Sequence, residues 1–291
     1  MRNNPVKALL LEQGLKPEKK LGQNFLVNKK ILQKIIEAAE ITRKDTVVEI
    51  GSGIGNLTQE LAKKAEQVLA IEKDPEMCKL LLERPSMGNV KVIQGDVLKI
   101  PLSELAPHGA FKVVANLPYY IASPVIRKLL EAERPPESMV LMVQKEVGQR
   151  ICAKPPKMSL LAVSVQFYGK PKIISYVSKK DFWPQPKVDS AVIKIVPHKP
   201  DEISVDPQLF FTIVKAGFSQ PRKQILNNLS IGLTLPLEVP RASGGILLSE
   251  LKLNKEKARR WLLKNGLQPT RRAETLLITD WISLAKTFPS I

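Results

Sequence analysis

Short apolar runs and amphipathic stretches alternate along the first half of the chain. Residues 46–50, 67–72, 90–94, 111–116 and 139–143 are brief, β-branched-rich runs of strand length. Between and after them, residues 56–64, 75–83, 124–133 and 145–153 carry apolar positions at helical spacing. This alternation predicts right-handed βαβ units building a parallel sheet with helices on both faces. Ahead of it, residues 5–13 read as a short helix opening at Pro5. Asn28 is placed to cap a helix through Ile31, Ile35 and Ala39. After Lys154 the connections shorten. Residues 160–168, 173–177 and 188–196 read as strands, an antiparallel addition to the sheet edge. The Pro- and charge-rich stretch 197–207 marks the domain boundary. Beyond it helices are predicted at 209–218, 222–229 and 255–265, with Gly266 as a stop. The expected architecture is a Rossmann-like α/β domain over residues 1–200 and a small helical domain over 201–291.

Composition adds a partner. There are 45 Lys and Arg against 28 Asp and Glu, a net charge of +17. Residues 1–30 hold seven basic and two acidic groups, and residues 201–291 hold thirteen and eight, +5 in each case. A polyanion, most simply nucleic acid, is the expected partner; a basic surface without a specific partner is the bland alternative. No apolar run reaches the ~18 residues of a membrane span, and no secretory leader is recognisable at the start. A cytoplasmic protein acting without a membrane, as a monomer, is expected. Cys78, Cys152, His108 and His198 lie in no ligand-like spacing. No metal is therefore expected, and zinc-dependent base deamination, which needs a His/Cys cluster, is excluded.

Candidate chemistry begins at Gly51-Ser52-Gly53-Ile54-Gly55, which follows a predicted strand and opens a helix. Glycines there let the backbone turn tightly and approach a ligand. The third glycine comes two residues after the second, one fewer than in dinucleotide-binding loops. That suits a ligand without a pyrophosphate, such as S-adenosylmethionine. Glu72 ends the second strand, where an acid accepts from both ribose hydroxyls of an adenosine. Asp96 follows the third strand, where an acid accepts from the adenine amino group. A structural glycine turn and two solvated strand ends are the alternative reading.

Asn116-Leu117-Pro118-Tyr119 ends the fourth strand at the same sheet edge. The amino nitrogen of adenine is a poor nucleophile, because its lone pair is delocalised into the ring. A side-chain amide oxygen and a backbone carbonyl accepting from the NH₂ favour a pyramidal nitrogen and aim the lone pair. Pro118 stiffens the turn. Tyr119 offers a stacking ring to an extruded base. Phe182, in the Pro-rich loop 181–188, is placed to close the other face; alternatively Phe182 and Trp183 plug the sheet edge. An ordinary strand-to-turn junction remains the alternative for the Asn-Leu-Pro-Tyr segment.

Taken in order, Gly22-Gln23-Asn24-Phe25-Leu26, the glycine loop, Asn116-Leu117-Pro118-Tyr119 and residues 182–190 resemble the rRNA adenine dimethyltransferase family. Residues 218–223 with 226–229, and Pro269-Thr270-Arg271-Arg272-Ala273-Glu274, resemble its small-subunit, KsgA (RsmA) branch. The resemblance spans about residues 16–285. It implies S-adenosylmethionine contacts at Asn24, Leu26, Gly51, Glu72, Asp96 and Asn116, to which the glycine loop adds Gly53, and a target-base site of Asn116, Pro118, Tyr119 and Phe182. The implied reaction is dimethylation of two adjacent adenosines in a hairpin loop near the 3′ end of small-subunit rRNA, in an assembling particle. Lys19, Lys20, Arg222, Lys223, Arg271 and Arg272, with Lys29 and Lys30, are the expected phosphate contacts. Pro221 departs from the family, which usually has a basic residue there. Two rivals stand beside this reading: a large-subunit adenine methyltransferase of the macrolide-resistance type, and a non-catalytic nucleic-acid-binding protein on the same fold.

Overall fold

A computed structural model of the chain describes residues 5–84, 88–105, 109–233 and 253–289. His108 lies outside the described residues. The described residues open with α1 (Pro5–Glu12), a single turn of 3-10 helix (Lys19–Leu21) and the two-residue strand β1 (Phe25–Leu26). Next come α2 (Lys29–Ala39), β2 (Thr46–Ile50), α3 (Asn56–Ala62), β3 (Gln67–Glu72), α4 (Pro75–Leu82) and β4 (Val90–Gln94). Then follow α5 (Leu102–Leu105), β5 (Phe111–Asn116), α6 (Ala122–Leu130), β6 (Ser138–Gln144) and α7 (Lys145–Ile151). α8 (Leu160–Tyr168) precedes β7 (Gly169–Val177), β8 (Phe182–Trp183) and β9 (Ser190–Pro197). The last helices are α9 (Pro207–Gly217), α10 (Ile225–Gly232), α11 (Lys255–Lys264) and α12 (Ile278–Lys286).

Two compact units result. One comprises the residues up to Gln149 together with Gly169–Pro197; the other comprises Arg150–Tyr168 and the residues from His198 onward. The first unit holds a seven-stranded sheet in the order β4-β3-β2-β5-β6-β9-β7. Strands β2 to β6 pair in parallel, while β9 runs antiparallel to both β6 and β7. The central strands are buried on both faces, so they read as continuous apolar runs. β6 is buried from Ser138 to Val143. Helix ends follow their caps: Asn28 accepts from the Lys30 N–H and Asp74 from the Glu76 N–H, with Pro75 opening α4.

Two sequence expectations need correction. Residues 160–168 form helix α8, not a strand. The run LLAVSVQFY is apolar on nearly every side, so its periodicity cannot separate strand from helix. Burial in the second unit decides it. Phe167 stacks on Phe210 with ring centroids 4.0 Å apart, and the Ser164 hydroxyl donates back to the Leu160 carbonyl at 2.8 Å. The second correction follows from the first. Residues 150–168 belong to the helical unit, so its boundary is not the single cut near residue 200.

α10 also begins at Ile225, three residues later than expected, leaving Arg222 and Lys223 in the preceding turn. Within that unit Trp281 is fully buried. Gly217 makes room for it, because a Cβ at 217 would lie 2.8 Å from Trp281 Cζ3. No helix among the described residues is long and apolar enough to cross a membrane.

Candidate active site

The carboxyl ends of β2, β3, β4 and β5 open onto one cleft in the first unit. Its lining includes Asn24, Leu26, Glu49, Gly51, Gly53, Glu72, Asp96, Asn116, Pro118, Tyr119 and Tyr120. Ligands bind at this edge of open α/β sheets because the loops that diverge from neighbouring strands leave a crevice there. All seven residues expected to hold the cofactor converge in it.

The glycine loop is built by left-handed backbone. Gly51, Gly53 and Gly55 have φ of 75°, 50° and 80°, a region that is strained for side chains with a Cβ. Gly51 N–H donates to the Ile71 carbonyl at 2.9 Å, tying the loop to β3. An added Cβ at Gly51 would come within 3.5 Å of Pro118, so the glycine loop abuts the Asn-Leu-Pro-Tyr turn. Gly22 closes the same corner: a Cβ there would meet Pro118 at 3.3 Å and Tyr120 at 3.4 Å.

Glu72 is held by three backbone donors. Gly53 N–H reaches Oε2 at 2.7 Å, while Lys73 and Asp74 N–H reach Oε1 at 2.7 and 2.9 Å. A carboxylate has about four acceptor sites, so these bonds fix its orientation and leave acceptor capacity facing the cleft. Burial pushes the Glu72 carboxyl up from its ordinary range, against the pull of those N–H groups. Asp96 accepts from Leu98 N–H at 3.0 Å and pairs with the Lys73 ammonium at 3.1 Å. The Leu98 N–H first, with Lys73, holds its carboxyl below the usual range.

Asn116 is oriented by a backbone contact. Its Nδ2 donates to the Asn24 carbonyl at 3.0 Å, and Asn24 Nδ2 donates in turn to the Gly22 carbonyl at 3.0 Å. With the amide nitrogen committed to Asn24, Oδ1 is the acceptor left for a ligand. Tyr119 is anchored at its far end, its hydroxyl 2.8 Å from Ser190 Oγ.

Phe182 sits differently from expectation. It is 4% exposed, packs in the core cluster with Leu26 and lies outside the cleft lining. β8 pairs antiparallel with β1, setting Leu26 opposite Phe182 and Phe25 opposite Trp183. Phe182 thus backs the residues that line the cleft and does not face into it. Among the lining residues not expected from the sequence, two carry a polar or aromatic group with a readable signal. Tyr120 is 55% exposed; its signal was a second aromatic directly after Tyr119. Glu49 is 1% exposed with Oε2 lacking any hydrogen-bond partner; its signal was a lone acid inside an apolar strand.

The expected phosphate contacts divide. Lys19, Lys20, Lys29 and Lys30 are exposed in the first unit, and Arg222, Lys223 and Arg272 in the second. Arg271 is engaged internally: its guanidinium donates to the Thr275 carbonyl and, at 3.2 Å, to the Thr275 hydroxyl, and lies 3.8 Å from Asp280. Its own carbonyl accepts from Ile225 N–H at 2.7 Å. Arg271 therefore secures the start of α10.

A seven-stranded sheet with an antiparallel edge and a glycine-loop cleft at the strand ends defines a class I methyltransferase fold. The cleft fits S-adenosylmethionine. It offers left-handed glycines for close approach, an acid at the end of β3, a second acid after β4 and a buried carboxyl oxygen without a partner. Residues 14–286 match the family described as Ribosomal RNA adenine dimethylase, and the chain belongs to that family. It is an S-adenosylmethionine-dependent rRNA adenine dimethyltransferase. A protein named Ribosomal RNA small subunit methyltransferase A from Dehalococcoides mccartyi is 43% identical over 282 residues, covering 96% of this chain and 91% of the relative. One of the same name from Geobacillus kaustophilus is 41% identical over 289 residues, covering 96% and 94%. Among solved structures, a dimethyladenosine transferase from Plasmodium falciparum superposes with a TM-score of 0.73 at 28% identity, covering 89% of this chain and 95% of the other. The 23S rRNA methyltransferase ErmE shares the fold, with a TM-score of 0.69 at 24% identity and coverage of 91% and 99%.

Proposed function

We propose that the chain dimethylates the exocyclic N6 of two adjacent adenosines in a hairpin loop near the 3′ end of 16S rRNA, acting as a monomer on an assembling small subunit. The chemistry is carried by one observation, the Asn116 amide pinned through Nδ2 so that Oδ1 is left to accept. The choice of subunit is supported by the small-subunit name of relatives about 40% identical over 96% of the chain, helical unit included.

Asn24, Leu26, Gly51, Gly53, Glu72, Asp96 and Asn116 hold the cofactor: Glu72 takes the ribose hydroxyls and Asp96 the adenine amino group. Bound there, S-adenosylmethionine supplies an electrophilic methyl group. Asn116 Oδ1, with the backbone carbonyl at the Leu117-Pro118 turn, accepts from the amino group of the target base. That favours a pyramidal nitrogen and aims its lone pair. The Tyr119 ring, held by Ser190, supports the base, and Phe182 keeps Leu26 and the wall behind it in place. The proton leaves after alkylation, so no side chain needs a pKa matched to a general base. Acceleration comes from positioning. Lys19, Lys20, Arg222, Lys223 and Arg272 hold phosphates, each within its own unit; Arg271 acts by fixing the turn that presents Arg222 and Lys223.

The test is transfer of tritiated methyl groups to purified ribosomal particles lacking the modification. Label is expected in small-subunit particles and absent from large-subunit ones. Label confined to the large subunit would install the rival target, and no label in either would remove the enzymatic reading of Asn116.

A further inference from the structure

A second concavity in the first unit lies beside the base site, and the reaction described above does not use it. Lys145, Gln149, Lys179 and Lys187 line it, with Glu146, Val188 and Asp189. Lys179 and Lys187 have no acidic side-chain partner within 4.0 Å among the described residues. Asp189 does not neutralise them by pairing. Its Oδ1 accepts from the Lys179 backbone N–H at 3.0 Å, and its carbonyl accepts from the Lys145 N–H at 3.0 Å. The notch thus gathers three lysines beside one acid, Glu146, with no ion-pair partner among the described residues.

An exposed aromatic stands at the same place. Tyr176, on the edge strand β7, is 51% exposed. Lys145 Nζ lies 5.4 Å from its centroid, and Gln149 Nε2 lies 3.5 Å from its hydroxyl, so the ring is held in position. The notch is also tied to the reaction centre. Asn116 pairs with Met142 across β5 and β6, so Lys145 emerges three residues further along the same sheet edge. Ser190, which anchors the Tyr119 hydroxyl at 2.8 Å, directly follows Asp189 in the notch lining.

Clustered ammonium groups beside a fixed, exposed aromatic ring are the chemistry that takes single-stranded nucleic acid. The lysines follow the phosphates and the ring stacks a base of any identity. We infer that this notch binds the single-stranded RNA flanking the target adenosine, with Lys145, Lys179 and Lys187 on its phosphates and Tyr176 stacked on a neighbouring base. The inference rests on the RNA-methylating function proposed above and adds a contact surface to it. Single-stranded rather than duplex RNA follows from the ring, because a stacking platform needs an unstacked base.

The full chain would be tested as wild type, as Lys145→Ala/Lys179→Ala/Lys187→Ala, as Tyr176→Ala and as Tyr176→Phe. Binding would be measured to a single-stranded oligoribonucleotide, to a duplex of the same sequence and to unmodified small-subunit particles. The triple variant is expected to weaken single-strand binding at least 10-fold. It should also flatten the slope of log K against log salt by about 2, from about 0.7 per phosphate released. Tyr176→Ala is expected to weaken it on the order of 5- to 100-fold, with Tyr176→Phe restoring most of the loss. KM for particles should rise in both weakened variants while kcat at saturation and S-adenosylmethionine affinity hold, as for loss of uniform binding. Unchanged affinity and salt slope in the triple variant would overturn the phosphate role. Full affinity in Tyr176→Ala, or equal losses for the duplex, would overturn the stacking role. These binding results are independent of methyl transfer. A wild-type protein that binds RNA through the notch but labels no particle would leave this inference standing and defeat the proposed function.

Discussion

Glu49 supplies a quantitative test of how the cofactor cleft is built. It lies in β2, 1% exposed, with no hydrogen bond to Oε2. Burial first, and then the negative charge of Glu72, push its carboxyl up to about 8, against a downward pull from the Thr58 and Ser52 hydroxyls. Below about pH 4.5 the group is protonated in folded and unfolded chains alike, and it leaves stability untouched. Between about 4.5 and 8 the unfolded chain ionises while the folded one keeps its proton, so stability falls as pH rises. Above 8 both are ionised and the full penalty persists. A displacement from 4.5 to about 8 corresponds to on the order of 5 kcal/mol at full extent, and about 3 kcal/mol by pH 7. Glu49→Gln keeps the shape and removes the titration. Urea unfolding of both proteins without cofactor, followed by circular dichroism from pH 4.5 to 8.5, gives the comparison. The variant should gain on the wild type by several kcal/mol across that range, with most of the gain between pH 5 and 8. Parallel stability profiles would mean that Glu49 ionises freely in the folded chain and that its burial does not hold the proton.

Three further outcomes follow from the same geometry. Asn116→Ala should cut kcat by about 10²- to 10³-fold, the scale of losing one preorganised hydrogen-bonding group, while S-adenosylmethionine binding weakens modestly; single-turnover methyl transfer with calorimetry checks it. Glu72→Ala removes charge-assisted ribose bonds of about 1.5–3 kcal/mol each and leaves three backbone N–H groups without their acceptor; cofactor affinity should fall at least 10-fold by calorimetry, with a lowered Tm. Gly217→Ala would normally favour a helix. Here its Cβ collides with the Trp281 ring and lies 3.1 Å from Ile225, so a net loss of about 1–3 kcal/mol is expected in denaturant unfolding.

Much of this site was legible in the sequence because it sits where strands end. Gly51, Glu72, Asp96 and Asn116 each lie at or within two residues of the end of a parallel strand, and parallel strands announce themselves as buried apolar runs. What stayed hidden depends on long-range packing. The antiparallel pairing of Leu26 with Phe182 joins opposite ends of the first unit. No local pattern shows it, so an aromatic read as a cleft wall is a core residue. The apolar run of α8 was likewise undecidable from periodicity, because its neighbours in the helical unit determine its form. Arg271 read as a free cation because neither its bonds to Thr275 nor its approach to Asp280 can be seen in a list of charges.

Unmodified small-subunit particles, incubated with the protein and S-adenosylmethionine, would be digested with a sequence-specific nuclease and the 3′-terminal 16S fragments weighed by mass spectrometry. Four added methyl groups are expected on one fragment, localised as N6,N6-dimethyladenosine at two adjacent positions, with a yield about 10²- to 10³-fold lower for Asn116→Ala at early times. Methyl groups on another base or another atom, or a modified fragment elsewhere in the rRNA, would contradict it.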